Sequence, residues 1–170
     1  MPEPRFEPEA ILQVLHAHGV RFVVIGAVAA IAQGYPLPTE DLDLTPARDV
    51  ENVERLAAAL TELGAQLRVA GGAAVDFPID PGYLASVDSW TLATRYGPLD
   101  VLFAPAATRG FDDLRRDAAE TELAEGLHVL VASLRDVIRM KEASNRPKDQ
   151  AQMPALRQTL EVIRERERRA

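Results

Sequence analysis

The stretch Thr39-Glu40-Asp41-Leu42-Asp43-Leu44 lies a short way downstream of Phe22-Val23-Val24-Ile25-Gly26-Ala27, and its reading decides the fold. An apolar run stopped by glycine predicts a buried strand that turns into a helix. Alternation of aspartate with leucine over 41–44 predicts a second strand, with both carboxylates on one face and Leu42 and Leu44 in the core. Two carboxylates held side by side repel each other; a divalent cation relieves that repulsion, and an all-oxygen ligand set favours magnesium. The spacing alone is not distinctive, because Glu7/Glu9, Asp49/Glu51, Glu120/Glu122 and Glu165/Glu167 repeat it in polar segments. Asp41 and Asp43 differ in lying between apolar residues after a glycine turn. A third acid in similar surroundings is Asp100, in the run Leu99-Asp100-Val101-Leu102-Phe103 entered through Gly97-Pro98. One strand carrying two aspartates beside another carrying one gives the three-carboxylate cradle of a two-magnesium phosphoryl or nucleotidyl transfer site.

The rest of the composition narrows the alternatives. With 170 residues, 47% of them hydrophobic, the chain is long enough for one domain with a real core. There is no apolar run near the ~20 residues that cross a bilayer, and Met1 to Pro8 is too charged and proline-rich for a secretory signal, so the expectation is a cytoplasmic protein with no membrane partner. Absence of cysteine excludes disulfides, thiolate catalysis and zinc–thiolate sites. Of three histidines, two (His16, His18) fall on one predicted helix and are not read as metal ligands. A formal charge of -7 argues against broad nonspecific attraction to nucleic acid, and no double-stranded DNA partner is expected, although a local basic patch suits an RNA end or a triphosphate. Of 19 basic residues all but Lys141 and Lys148 are arginine, and those two fall in the single stretch Lys141-Glu142-Ala143-Ser144-Asn145-Arg146-Pro147-Lys148-Asp149. That choice suggests a site wanting a compact ammonium.

Along the chain, helices are predicted over Glu7–His18, Gly26–Ala32, Asp49–Leu63, Thr108–Arg116 and from the Ser133 cap to about Ser144. Strands are predicted over Arg21–Ile25, Leu42–Thr45 and Ala65–Val69, with hairpins at Ser89–Arg95/Leu99–Phe103 around Gly97-Pro98 and at Thr121–Ala124/Leu127–Val131 through Glu125-Gly126. Residues 70–81 read as irregular, with a short helix starting at Asp80-Pro81. The segment from Pro147 reads as two helices divided at Pro154. The expected fold class is α+β with a mixed sheet: a core over 1–132 and a helical tail over 133–170, packed on it as a single domain overall.

The glycine turn, paired aspartates, third aspartate and lysine-bearing tail, in that order, resemble the nucleotidyltransferase superfamily of the polymerase-beta type. More narrowly, the chain is similar to the small bacterial proteins related to the AbiEii toxins of type IV toxin–antitoxin systems, over Val23 to about Leu160. The family opens with a strand, Gly-Gly or Gly-Ser, a short helix and Thr-x-Asp-x-Asp; here these are Gly26-Ala27, a helix and Thr39-Glu40-Asp41-Leu42-Asp43. Its closing motif resembles Lys141 through Arg146-Pro147-Lys148-Asp149.

The resemblance implies that Asp41 and Asp43 bind magnesium, two ions in all, while Asp100 completes the second metal site and helps deprotonate the acceptor hydroxyl. It implies that Gly26 and Ala27 present backbone N–H groups to the triphosphate of an NTP, that Thr39 adds a hydroxyl, and that Lys141, Lys148, Arg146 and Asp149 contact the nucleotide or acceptor from the tail. Ala27 stands where the family has serine or a second glycine, which removes a hydroxyl donor and predicts weaker or altered phosphate binding. The implied reaction moves an NMP to a hydroxyl of a tRNA end, a protein or a small molecule, with a cognate antitoxin protein as a further partner. The alternative is a noncatalytic module that keeps the fold to bind a nucleotide or a partner.

Overall fold

The structure is a computed structural model that describes residues 4–170, so the first three residues of the Met1–Pro8 segment lie outside the described residues. The chain runs α1(Pro8–Ala17), β1(Phe22–Ile25), α2(Gly26–Ala32), β2(Leu42–Pro46), α3(Val50–Glu62), β3(Gln66–Arg68), β4(Ala74–Val75) and α4(Pro81–Ala85). It continues through β5(Ser89–Thr94), β6(Gly97–Leu102), α5(Phe111–Leu114), β7(Ala119–Ala124), β8(Leu127–Val131), α6(Leu134–Ser144) and α7(Pro147–Arg169). All eight strands join one mixed sheet in the order β4-β3-β5-β6-β2-β1-β8-β7. Only β2–β6 and β1–β8 are parallel.

The fully apolar β1 is buried at every residue, as a central strand covered on both faces must be. By contrast β5 and β6 alternate: Trp90, Leu92, Leu99 and Val101 are buried, while Thr91, Ala93, Pro98 and Asp100 lie on a half-open face. The buried side joins the leucines of α1 and α3 in one apolar cluster, which also takes in Val137 and Ile138 of α6 and Met153 and Leu156 of α7. Asp49 caps α3 by accepting from the Asn52 N–H at 3.1 Å, and Ser133 caps α6 by accepting from the Asp136 N–H at 3.2 Å.

Four sequence expectations need correction. The segment from Pro147 is one 23-residue helix, not two. Pro154 sits on its exposed face and forfeits one backbone bond, while Met153 and Leu156 beside it pack into the core and carry the helix through. Residues 70–81 hold β4, which pairs Ala74 with Arg68 across a Gly71-Gly72 turn. The first hairpin turns at Arg95-Tyr96, and Gly97 already belongs to β6, where Phe6 packs so tightly that a Cβ would meet it at 3.0 Å. Finally, the helix expected over 108–116 shrinks to α5, because Thr108 closes a separate turn by donating its N–H (3.1 Å) and hydroxyl (2.9 Å) to the Pro105 carbonyl. Elsewhere boundaries move by a residue or two, as helix and strand ends do; His18 thus falls just beyond α1.

Candidate active site

Two adjacent strands build the centre of the site. β2 and β6 run parallel with Asp43 opposite Asp100, and Asp41 immediately precedes β2. One carboxylate oxygen from each of Asp41, Asp43 and Asp100 lies within 4.8 Å of the others. The leucines alternating with them, Leu42, Leu44 and Leu99, are completely buried, and this anchors the register that gathers the acids.

Electrostatics agree with a cation cradle. Burial, then repulsion from Asp41 and Asp100, pushes the Asp43 carboxyl up to about 7, against the opposing pull of Lys141 and Lys148. Asp100 is raised as well, first by burial and then by Asp41. Its Oδ1 is buried with no hydrogen-bond partner. A buried carboxylate oxygen without a donor is costly unless something supplies positive charge to it. Three converging oxygen ligands, an orphaned acceptor and carboxyls that resist ionisation together fit a hard divalent cation.

Gly26 is required at the cradle wall. Its φ is +66°, and an added Cβ would collide with Asp43 Oδ2 and stand 2.9 Å from its Cγ. The short helix α2 starts there and buries Ala27. Thr39 lies against Asp41, donating its hydroxyl to Oδ1 at 2.9 Å, so it orients the first carboxylate.

The tail approaches from the other side. Lys148 Nζ is 3.6 Å from Asp41 Oδ2. Lys141 is nearly buried; it donates to Gln152 Oε1 at 2.7 Å and lies 3.6 Å from Asp149. Burial lowers the Lys141 amine, with Asp149 and Asp43 opposing that drift. Asp149 is fully enclosed. Its Oδ2 accepts from the Ser144 hydroxyl at 2.6 Å, the Arg146 N–H at 3.1 Å and Arg146 Nε at 2.9 Å. Burial by itself would raise this carboxyl, but the bonds from Arg146 and Ser144 outweigh it and hold it at about 2. Of the residues singled out in the sequence, the structure therefore gathers Asp41, Asp43, Asp100, Gly26, Thr39, Lys141 and Lys148 at one centre. Asp149 and Arg146 form the cap of α7 behind them.

Sequence reasoning passed over Ser144, Gln152, Arg68 and Thr91. Arg68 and Thr91 line a cleft of about 880 Å³ together with Asp41, Lys148 and Thr39. The only sequence signal for them is the alternation of polar with apolar residues in short strands.

No protein-family model matches this chain, and no curated protein matches it. Solved structures do. The lincosamide antibiotic adenylyltransferase LnuA, with lincomycin bound, is 14% identical with a TM-score of 0.59 and covers 91% of this chain and 98% of its own. The antibiotic-resistance factor ANT(2'')-Ia is 17% identical with a TM-score of 0.56, covering 95% of this chain and 89% of its own. A Thermotoga maritima protein assigned as a nucleotidyltransferase is 18% identical with a TM-score of 0.51, covering 94% and 97%. Such likeness at low identity establishes the architecture: this is the nucleotidyltransferase fold, an α+β mixed sheet, as its motifs implied. Among the described residues no helix is long and apolar enough to cross a membrane.

Proposed function

We propose that the protein is a magnesium-dependent nucleotidyltransferase that moves a nucleoside monophosphate from an NTP to an acceptor hydroxyl. The carrying observation is the meeting of Asp41, Asp43 and Asp100 at the β2–β6 junction, with a buried Asp100 oxygen left without a donor. In the reaction the acceptor oxygen bonds to the α-phosphorus, the bond from that phosphorus to the pyrophosphate oxygen breaks, and the hydroxyl proton leaves. Asp100 helps take that proton from the acceptor hydroxyl. Asp41 and Asp43 would hold the magnesium ions, with Asp100 completing the second site. When bound, those ions offset the negative charge on the phosphates and on the reacting phosphorus.

The other residues bind and orient. Lys148 and Lys141 would balance triphosphate charge, and Gly26 and Ala27, the first two residues of α2, would offer it their backbone N–H groups. Thr39 keeps Asp41 aimed. Arg146 and Asp149 act on the nucleotide through Lys141, which Asp149 holds in place.

LnuA and ANT(2'')-Ia, by their names, act on antibiotics, which supports a small-molecule hydroxyl as the acceptor. The AbiEii resemblance supports a tRNA end instead, with a toxin role and a cognate antitoxin. The test incubates purified protein with each α-labelled NTP, magnesium, and either total RNA or a small-molecule hydroxyl pool. Label is expected on one of them, and Asp41→Asn or Asp43→Asn should lower transfer at least a thousandfold while the protein stays folded. No transfer with any NTP, together with no magnesium-dependent nucleotide binding, ends the enzyme reading and leaves a noncatalytic module.

A further inference from the structure

One row of side chains crosses four strands of the half-open sheet face. Asp43 on β2 is opposite Asp100 on β6, and Asp100 is opposite Thr91 on β5. The β3–β5 register, Gln66 with Ala93 and Leu67 with Leu92, then places Arg68 beside Thr91. Register partners share a face, and Arg68, Thr91, Ala93 and Asp41 all line the same cleft. Arg68 is therefore two strand spacings from Asp100, about 10 Å between Cα atoms.

Among the described residues nothing else on that flank claims the guanidinium. Among the described residues Arg68 has no carboxylate within ion-pair distance. The acid that follows its paired strand, Asp76, accepts from Gln66 Nε2 at 2.8 Å. Around it the floor is made of small residues, Ala74, Gly72 and Ala93, which leave the cleft open. Thr91 is exposed and lies between Arg68 and Asp100 in the row. Lys141 and Lys148 occupy the opposite flank and are tied to Asp149 and Asp41.

We propose that Arg68 binds an oxyanion carried by the acceptor, so that the hydroxyl modified at Asp100 belongs to an anionic molecule bearing a phosphate or a carboxylate. This rests on the nucleotidyl-transfer reading above and adds its acceptor class. A guanidinium offers a two-pronged fit to such a group. The row functions as a ruler: hydroxyl at Asp100, a hydrogen bond from Thr91, anion at Arg68. A polycationic acceptor would meet an unpaired positive charge on this flank.

The experiment compares four acceptors with α-labelled NTP and magnesium: glycerol 3-phosphate, a short oligoribonucleotide with a free 3′ hydroxyl, glycerol and tobramycin. Each is measured with the wild-type protein, Arg68→Gln and Arg68→Lys. Magnesium-dependent binding of a fluorescent NTP analogue is followed in parallel. At least one anionic acceptor is expected to be preferred, and which one distinguishes a free phosphate from an RNA phosphate. Arg68→Gln should raise KM for that acceptor about tenfold or more, the loss of one charge-assisted hydrogen bond, with kcat and NTP binding nearly unchanged. Arg68→Lys should recover part of the loss.

Preference for tobramycin, NTP binding without transfer to either anionic acceptor, or an unchanged KM in Arg68→Gln would overturn the proposal. So would an equal fall in kcat for glycerol and the anionic acceptors, which would mean that Arg68 acts only through Asp100. Absence of magnesium-dependent NTP binding in the wild-type protein would count against the transfer reading itself.

Discussion

The two flanks of the carboxylate cradle are built on different principles. On the helical flank, the tail cations are already engaged: Arg146 and Lys141 with Asp149, and Lys148 with Asp41. Their geometry is set before any ligand arrives, which reduces the ordering cost of binding the same charged group repeatedly. The sheet flank offers Arg68, exposed Thr91 and a floor of small residues. On the proposed reading, the flank held by its own ion pairs takes the triphosphate, and the flank with an open floor, where Arg68 has no ion-pair partner among the described residues, takes the acceptor.

The contrast can be broken first at the wall both flanks share. Gly26→Ala forces a side chain into a φ of +66°, at a cost of about 1–2 kcal/mol, and displaces Asp43 as well. We expect folded protein with a lowered melting temperature, no thermal stabilisation by magnesium and no transfer to any acceptor. Retention of the magnesium effect would show that Asp43 need not occupy its place against Gly26.

A second substitution sharpens the difference by disarming the helical flank alone. Asp149→Asn keeps the shape but removes the charge that holds Arg146 and Lys141. The carboxyl pKa near 2 is below its ordinary value, so its ionised form contributes about 2 kcal/mol to folding. For a carboxylate lowered in this way, that share is present above about pH 4 and is lost as pH falls toward about 2. The variant should therefore unfold at lower denaturant concentration at neutral pH, with the gap closing in acid. It should weaken NTP binding while leaving acceptor preference alone; a changed acceptor preference would erase the division between flanks.

The last test reads a slope. Asp43 is raised to about 7, so without metal the folded protein holds a proton that the unfolded chain gives up near pH 4, and stability falls as pH climbs between those values. Magnesium must displace that proton, so its stabilising shift in melting temperature should be larger at about pH 8 than at about pH 5. Asp43→Asn should flatten both dependences. An equal magnesium shift at both pH values would contradict the cradle electrostatics.

Much of this was legible in local pattern. Apolar Phe22–Ile25 followed by Gly26 announced the buried strand and the helix after it, because a run covered on both faces needs no alternation and glycine accepts the turn. Asp41, Asp43 and Asp100 stood out by apolar surroundings. Less legible were features whose cause lies far away in the chain. Pro154 looked like a helix stop because the missing N–H is local, while the packing of Met153 and Leu156 that overrides it is not. Nor did any local signal show that Asp149 is enclosed and accepts four hydrogen bonds from Ser144 and Arg146.

The sequence by itself determined the α+β class, the strand-glycine-helix entry and the identity of the three acids, since these follow from side-chain periodicity and the conformational demands of single residues. Only the tertiary structure decided that β6 lies parallel beside β2 with Asp100 opposite Asp43, and that β3 brings Arg68 into the same row. Strand order and register are set by how the whole set of apolar faces packs together, and no short window of sequence contains that sum.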